Sequence, residues 1–293
     1  MIHTSWRLKL FMVCNYLFLA VAALLCLFPL IHVLAISFSS SSASSAGLVT
    51  LWPVRFTTKS YEYVLANKEF LTALVVSFKR LFLGTFINML LTILIAYPLS
   101  KESSRFKGRT VYVWIFVITM LFSGGLIPLY FMIKLTGISN SLWALILPSA
   151  VPVFNIIILL NFFRGLPKEL EEASLIDGAG HVATLFKIFV PLSLPAIATL
   201  TLFSMVYHWN SWFDGLIFMD EVEKYPLQSY LQTVIIQRDF ASITVQDLEL
   251  LQLISDRSIK AAQIFIGALP ILIAYPFLQR FFVKGVVLGS VKQ

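Results

Sequence analysis

The residue types that could do chemistry are concentrated in one polar stretch between two long apolar runs. Residues 167–180 read PKELEEASLIDGAG. Acidic side chains near the start favour the positive end of a helix dipole, and Pro167 suits the first helical position. Gly178 and Gly180 accept the left-handed geometry that ends a helix. The stretch predicts a helix of about two or three turns, followed by a second helix from His181, with carboxylates suited to charge-assisted contacts.

Residue patterns typical of enzymes are absent from the sequence. It has four histidines and two cysteines, with no H-E-x-x-H pattern, no nucleophile elbow and no G-x-x-x-x-G-K-S/T phosphate loop. Cys14 and Cys26 lie within one apolar run, which predicts packing residues rather than a disulfide. We therefore predict no catalytic residue, no metal site and no cofactor bound by this chain.

The elements that must position the polar stretch are apolar. Of 293 residues, 58% are hydrophobic and 13% are charged, and the mean hydropathy is +0.86, which is typical of an integral membrane protein. About 20 apolar residues span a bilayer, and six runs have this length. The runs are Phe11–Ile36, Leu74–Leu99, Val111–Ile133, Leu142–Phe163, Phe186–Trp212 and Ile259–Phe282. We predict an all-α membrane protein with one transmembrane domain over residues 1–293.

The distribution of lysine and arginine orients these runs. With the N-terminus in the cytoplasm, the inner segments carry 12 basic and 5 acidic residues, and the outer segments with their borders carry 10 of each. The net charge of +7 therefore lies on one side, as expected of a cytoplasmic face. We predict cytoplasmic termini, a cytoplasmic connection at 164–185 and a long outer loop at 213–258. The serine-rich outer stretch Ser39–Ser45 predicts a flexible segment.

The six apolar runs contain no aspartate or glutamate. Carriers coupled to protons or sodium generally need an intramembrane carboxylate, so this absence argues against secondary transport, which stays an alternative. Because the chain has no phosphate loop, its energy source must be another protein that acts through the cytoplasmic face. A channel would not need the polar helix at 167–180. We interpret this helix as the contact with the energy-supplying protein.

The same stretch resembles the EAA loop of binding-protein-dependent ABC importers. The matching residues are Glu172, Ala173, Gly178, Ile188 and Pro191. Ser174 stands in place of the family's second alanine, and Val190 stands in place of a leucine. The resemblance implies that the loop docks on an ATPase, whereas the alternative is an ordinary amphipathic loop helix. The residues that it assigns to ATPase coupling are Glu171, Glu172, Ala173, Ser174, Asp177, Gly178 and Pro191.

A wider resemblance covers nearly the whole chain from Trp52 onward and indicates the carbohydrate branch of this family. Its segments are Met120–Tyr130, Leu142–Pro148, Trp209–Asn210 and Arg280–Lys292. They look closest to permeases for oligosaccharides of plant or algal polysaccharides, including uronate-containing ones such as alginate or rhamnogalacturonan. The alternative is an importer permease for another small solute.

The resemblance implies the type I importer permease fold, with six transmembrane helices and a cytoplasmic coupling helix, in the bacterial inner membrane. It also implies a second homologous permease, two cytoplasmic ATPases that hold ATP and magnesium, and an extracytoplasmic solute-binding protein that delivers an oligosaccharide. The outer loop at 213–258 would meet the binding protein, the alternative being a solvated cap, and the tail at 285–293 would reach the ATPase. Membrane lipid surrounds the spans, and no nucleic-acid partner is predicted.

Polar and aromatic residues near the outer border of the spans are candidates for the substrate path. They are Lys79, Arg80, Lys134, Tyr207, His208, Trp209, Asn210 and Trp212. Aromatic faces beside hydrogen-bonding groups suit a sugar, and cations suit a carboxylated one. The alternative is that the cations snorkel to the interface and the aromatic residues form the membrane belt. We hypothesise that at least one of Lys79, Arg80 and Lys134 lines the path and favours an acidic oligosaccharide.

Overall fold

The computed structural model describes residues 6–236 and 256–290, with side chains for 6–233 and 256–276. Within these ranges the chain forms α-helices joined by turns and no β-strand, as the sequence predicts. Residues 237–255 of the predicted outer loop and residues 291–293 of the tail lie outside the described residues. The two compact units of the chain are Met1–Lys68 with Thr233–Pro270, and Glu69–Gln232 with Ile271–Gln293.

Among the described residues, the first unit contains three helices from the start of the chain and parts of two later helices. The three helices are α1 (Trp6–Ser37), α2 (Ser41–Ser45) and α3 (Lys59–Ala66). Most side chains of α1 are apolar and exposed, as expected of a helix surrounded by lipid or by a partner. The core of this unit is formed by Ala35, Ile36, Ala43, Val49 and Ala261.

The serine-rich stretch is structured, so the prediction of a flexible segment was wrong. Ser41–Ser45 forms α2, with Ser44 buried. The Oγ of Ser39 donates to the carbonyl of Ala35 at 2.6 Å and accepts the N–H of Val54 at 3.0 Å. The Ser39 hydroxyl thus makes hydrogen bonds to backbone groups that would otherwise bind water. Such bonds explain how a serine-rich segment can be ordered.

The second unit holds the helices around the polar stretch. They are α4 (Lys68–Ser100), α5 (Arg109–Leu121), α6 (Leu126–Leu135), α7 (Leu142–Ile146), α8 (Val153–Arg164), α9 (Lys168–Ile176), α10 (His181–Thr184), α11 (Val190–Leu192), α12 (Leu194–Asn210), α13 (Phe213–Phe218) and α14 (Leu227–Ile236). Short segments of 3₁₀ or π helix are Leu147–Ser149, Leu185–Phe189 and Val222–Lys224. The last helix of the chain, α15, covers Asp256–Ser290 and belongs to both units.

Among the described residues, three helices are individually long and apolar enough to cross a membrane, namely α1, α4 and the Asp256–Pro276 part of α15. Three further segments are helix pairs bent at a break: α5 with α6 by 113°, Leu142–Ser149 with α8 by 46°, and His181–Leu192 with α12 by 84°. If each bent pair is counted as one span, the described residues contain six candidate spans by length and composition. This number equals the number of apolar runs in the sequence. The predicted span boundaries and the single-domain assignment stay predictions.

The bends in these helix pairs lie next to glycine or proline residues. Gly125, immediately before α6, has φ +85°, a conformation that glycine adopts readily. Pro128 lies in the first turn of α6, where its missing N–H costs no helical hydrogen bond. The bend before α12 falls at Ser193, between Pro191 and Pro195.

The apolar core of the second unit joins the ends of several helices beside the polar stretch. Its buried residues are Met89, Ala96, Tyr97, Leu99, Ile156, Leu159, Leu160, Phe163, Leu185, Phe189 and Leu200. The ring of Phe189 makes edge-to-face contacts with Tyr97 and Phe163, at centroid distances of 5.0 and 5.5 Å. Lys101, which directly follows α4, lies against the rings of Tyr97 and Phe189, so this core adjoins the polar residues around α9.

Candidate coupling site and membrane path

The polar stretch forms α9, a helix of nine residues, as predicted. Its start differs by one residue, because Pro167 has ψ 130° and precedes the helix instead of occupying its first position. The end is a Schellman motif, in which Gly178 N–H donates to the Leu175 carbonyl at 3.1 Å and Ala179 N–H donates to the Ser174 carbonyl at 3.0 Å. Gly178 has φ +80°, so the predicted stop is a left-handed glycine.

The two adjacent glutamates of α9 have different surroundings. Glu171 is buried, and its Oε1 lies 2.9 Å from Nζ of Lys101 and 3.4 Å from Nη1 of Arg105. Glu172 is exposed and accepts a hydrogen bond from Nη2 of Arg105 at 3.1 Å. Burial lowers the pKa of Lys101, and the contact with Glu171 opposes this shift. Glu171 therefore faces its own chain, while Glu172 is accessible to another protein.

Ser174, which departs from the family's alanine, is buried and makes a specific contact. Its Oγ lies 2.7 Å from Oγ1 of Thr184, and that hydroxyl donates to the carbonyl of Gly180 at 3.2 Å. Ser174 is therefore the donor to Thr184, and the bond joins α9 to the last residue of α10. The remaining predicted coupling residues are exposed: Ala173, Asp177, Gly178 and Pro191.

Apolar side chains beside these residues are exposed as well. Ile176 is 85% exposed and Val182 is 71% exposed, and Leu170 and Leu175 are exposed to a lesser degree. Together with Glu172 they form a surface that we call the docking face. Large apolar side chains that are exposed beside a charged group are typical of a protein contact.

Arg80, one of the predicted path residues, is fully buried. It forms an ion pair with Asp214, to which Nη1 donates at 3.1 Å, and it donates to the carbonyls of Ser211 at 3.3 Å and Leu145 at 3.4 Å. These contacts join α4 to α7, to α13 and to the residue that follows α12. Arg80 is therefore neither a snorkelling anchor nor part of an open surface in this structure.

His208 and Trp209 are also buried. Nε2 of His208 lies 2.7 Å from Oδ1 of Asn88, whose Nδ2 donates to the carbonyl of Ser149 at 2.8 Å. A Cβ on Gly84 would lie 2.6 Å from the His208 ring, so glycine permits this close approach of α12 to α4. These two predicted path residues therefore pack α12 against α4.

The other predicted path residues are exposed: Lys79, Lys134, Tyr207, Asn210 and Trp212. Tyr207, Asn210 and Trp212 lie together on an open groove of about 510 Å³ at the end of α12. The other residues that line it are Val206, Ser211, Phe213 and Asp214. A second cavity of about 280 Å³ is lined by Asn88, Ser149, Val151, Pro152, Asn155, Phe203, Ser204 and Tyr207. Tyr207 lines both cavities, which places aromatic surface beside amide and hydroxyl groups.

The region that holds α9 and both cavities is matched by a protein-family model. The family is described as "Binding-protein-dependent transport system inner membrane component", and the match covers residues 88–287. The chain belongs to this family. It is a multi-pass, inner-membrane permease subunit of an ABC importer, which confirms the resemblance predicted from the EAA-like stretch.

Individual relatives of this permease are similar along almost its whole length. In Bacillus subtilis (strain 168), Protein LplC is 40% identical over 99% of both chains. The polygalacturonan/rhamnogalacturonan transport system permease protein YtcP of the same organism is 38% identical, over 97% of this permease and 99% of YtcP. A chain in the crystal structure of a bacterial ABC transporter involved in the import of the acidic polysaccharide alginate is 30% identical, with a TM-score of 0.88. That match covers 96% of this permease and 100% of the other chain, and the predicted type I permease fold is confirmed.

Proposed function

We propose that this permease forms one half of the membrane path of an ATP-driven oligosaccharide importer, with an acidic, uronate-containing oligosaccharide as the substrate. The observation that carries this proposal is the groove at the end of α12. There Tyr207, Asn210 and Trp212 combine aromatic surface with hydrogen-bonding groups, the combination that suits a sugar. Similarity to YtcP and to the alginate importer chain supports a substrate derived from an acidic polysaccharide.

An acidic substrate needs cations that are not already neutralised inside the protein. Arg80 is paired with Asp214 and is therefore no longer a candidate for binding a uronate. Lys79 and Lys134 are exposed and keep this role in the proposal. Nζ of Lys134 lies 5.6 Å from the ring centroid of Tyr130, so a cation and an aromatic surface are available side by side.

In this proposal the energy for transport comes from partner proteins. Two cytoplasmic ATPases hold ATP and magnesium, and one of them binds the docking face, with Glu172 contacting a basic residue. A second homologous permease completes the path, and a solute-binding protein delivers the oligosaccharide from outside. Closure of the ATPases displaces α9 and switches the spans between inward-facing and outward-facing states. This chain contributes no catalytic group to ATP hydrolysis.

The proposal is tested with the assembled complex in proteoliposomes, supplied with its binding protein and with oligosaccharides of equal length. A uronate oligosaccharide is expected to stimulate ATP hydrolysis and uptake more than a neutral one. Replacing Lys79 and Lys134 by glutamine should lower uronate uptake about tenfold, the scale of one lost hydrogen bond to a charged group. Uptake of the neutral sugar should change little.

Lys59→Gln is the matched control, because Lys59 is exposed and lies on the same predicted side of the membrane. It should leave both uptakes unchanged. An equal loss for both sugars in the Lys79 and Lys134 variant, or no loss, would reduce these lysines to membrane anchors. If no oligosaccharide stimulates ATP hydrolysis by the complex, the proposal of a sugar substrate fails.

A further inference from the structure

Lys101 holds its ammonium group out of water among three partners. Its side chain is 10% exposed. Nζ lies 2.9 Å from Oε1 of Glu171, 3.8 Å from the ring centroid of Tyr97 and 4.2 Å from the ring centroid of Phe189. Removing an ammonium group from water is costly, and ring faces together with a carboxylate offset that cost. The surroundings of Lys101 therefore hold it in one position, unlike those of a solvated surface lysine.

Each partner of Lys101 lies on a different element. Tyr97 is in the last turn of α4, Glu171 is on α9, and Phe189 ends the π-helical segment that leads into α11. Segments of π helix occur frequently at functional sites. Arg105 adds a second basic contact to Glu171 at 3.4 Å. The ammonium group is thus the point where the end of α4, the polar helix and the segment that leads towards α12 meet.

We propose that Lys101 is a positioning residue that fixes α9 to α4, so that displacement of α9 by an ATPase moves α4 with it. The inference rests on the proposed function, in which α9 docks on the ATPase. Movement must reach α4 because this helix carries Asn88, which lines the cavity that includes Tyr207. Lys101 acts through Glu171 and lines neither the groove at the end of α12 nor the second cavity.

The next residue in the sequence provides a matched control. Glu102 forms an ion pair with Lys168 of α9, so it also connects the segment after α4 to the same helix. Both of these side chains are more than half exposed, whereas Lys101 and Glu171 are each 10% exposed. Exposed ion pairs contribute little, whereas removing Lys101 leaves the buried carboxylate of Glu171 with Arg105 as its remaining basic contact. Loss of Lys101 and loss of Glu102 should therefore have different consequences.

The first experiment measures sugar uptake and ATP hydrolysis together, with the complete complex in proteoliposomes. Lys101→Met is expected to retain the ATPases and to hydrolyse ATP, but to transport about tenfold less sugar for each ATP consumed. Lys101→Arg keeps a cation over the two rings and should recover most of this ratio. Glu102→Gln should transport as much sugar for each ATP as the original protein. An unchanged ratio in Lys101→Met would overturn the proposal.

A second experiment does not depend on the stability of the Lys101→Met complex. Cysteines replace Lys101 and Glu171 in a background with Cys14→Ser and Cys26→Ser, and a short bifunctional thiol reagent then joins the new cysteines. Before linking, the double-cysteine variant should transport less sugar for each ATP than the original protein. If α4 and α9 move as one body, linking them should restore this ratio. Linking that leaves this ratio low, or lowers it further, would show that the two helices must separate, contrary to the proposal.

Failure of this inference can be told apart from failure of the proposed function. Glu172→Lys, which alters the docking face, is expected to lose the ATPases from the purified complex. If Glu172→Lys keeps them and transports normally, docking through α9 is wrong whatever Lys101 does. If Glu172→Lys loses the ATPases while Lys101→Met transports normally, only the role of Lys101 is wrong.

Discussion

Gly178 ends α9 with φ +80°, and within the described residues a Cβ added to it would meet no atom within 4 Å apart from its own chain neighbours. Substitution there costs backbone strain alone, about 1–2 kcal/mol for alanine and less for asparagine, which tolerates this conformation. We predict that transport by the assembled complex decreases from Gly178 to Gly178→Asn, then to Gly178→Ala and to Gly178→Val. Uptake and thermal unfolding of each purified complex check the order.

The two measurements separate strain from a contact made by the ATPase. Strain should lower uptake and the unfolding temperature in the same order of substitutions. If Gly178→Ala and Gly178→Asn unfold at the same temperature as the original and both lose uptake, strain is the wrong explanation. Close approach of the ATPase surface to the glycine would then be the cause.

Some features of individual residues in α9 could be predicted from the sequence, and others could not. The glycine stop was predictable because conformational freedom is a property of one residue. The burial of Glu171 and the bond from Ser174 to Thr184 were not, because they depend on Lys101 and on α10. Matching positions placed Glu171 and Glu172 in one group, yet only Glu172 belongs to the exposed surface of α9. Which side of a short helix is buried is decided by its neighbours.

At the scale of elements, the pair of Arg80 and Asp214 joins α4 to α13 inside the protein. Removing one partner of a buried ion pair typically costs about 3–5 kcal/mol, whereas replacing both by apolar residues is often neutral. We predict that Asp214→Asn lowers the unfolding temperature of the purified complex markedly. The double variant with Arg80→Met and Asp214→Leu should recover most of that loss. Thermal unfolding in detergent measures both effects.

Glu221 supplies the control for this prediction. Its exposed carboxylate accepts hydrogen bonds from Asn140 at 2.9 Å and from Lys224 at 3.1 Å, and these contacts lower the pKa of Glu221. Exposed pairs contribute little, so Glu221→Gln should leave the unfolding temperature nearly unchanged. If Asp214→Asn is as mild as Glu221→Gln, the pair is not the link between α4 and α13 that its burial indicates.

The elements were predictable to different degrees. Apolar runs located each segment of suitable length, because a lipid surround demands about 20 apolar residues. The absence of acids from these runs did not exclude a carboxylate paired with a buried arginine, because Asp214 lies two residues beyond a run and pairs with Arg80, 134 positions away. Asn88 was a polar residue within a run, which indicates an internal contact, but its bond to His208 required the packing of α12 on α4.

The orientation of the whole chain is predicted from its charge. The inner segments carry the entire net charge of +7, and they include Lys101 and Arg105, which contact the acidic residues of α9. The inner segments also hold 12 of the 22 lysines and arginines, which are the main determinants of orientation, and acidic residues contribute little to it. Pairing these cations with Glu171 and Glu172 therefore supports the structure around α9 without weakening the determinant of topology.

This orientation predicts that an impermeant thiol reagent labels a cysteine at Ser42 in intact cells, and labels one at Ser103 only after the membrane is permeabilised. Ser42 and Ser103 are both exposed, so a difference in labelling reports the side of the membrane rather than burial. The background carries Cys14→Ser and Cys26→Ser, because the native cysteines are free and exposed. Labelling of Ser103→Cys in intact cells would reverse the orientation. It would also place the docking face away from cytoplasmic ATPases, and the proposed coupling through α9 would have to be abandoned.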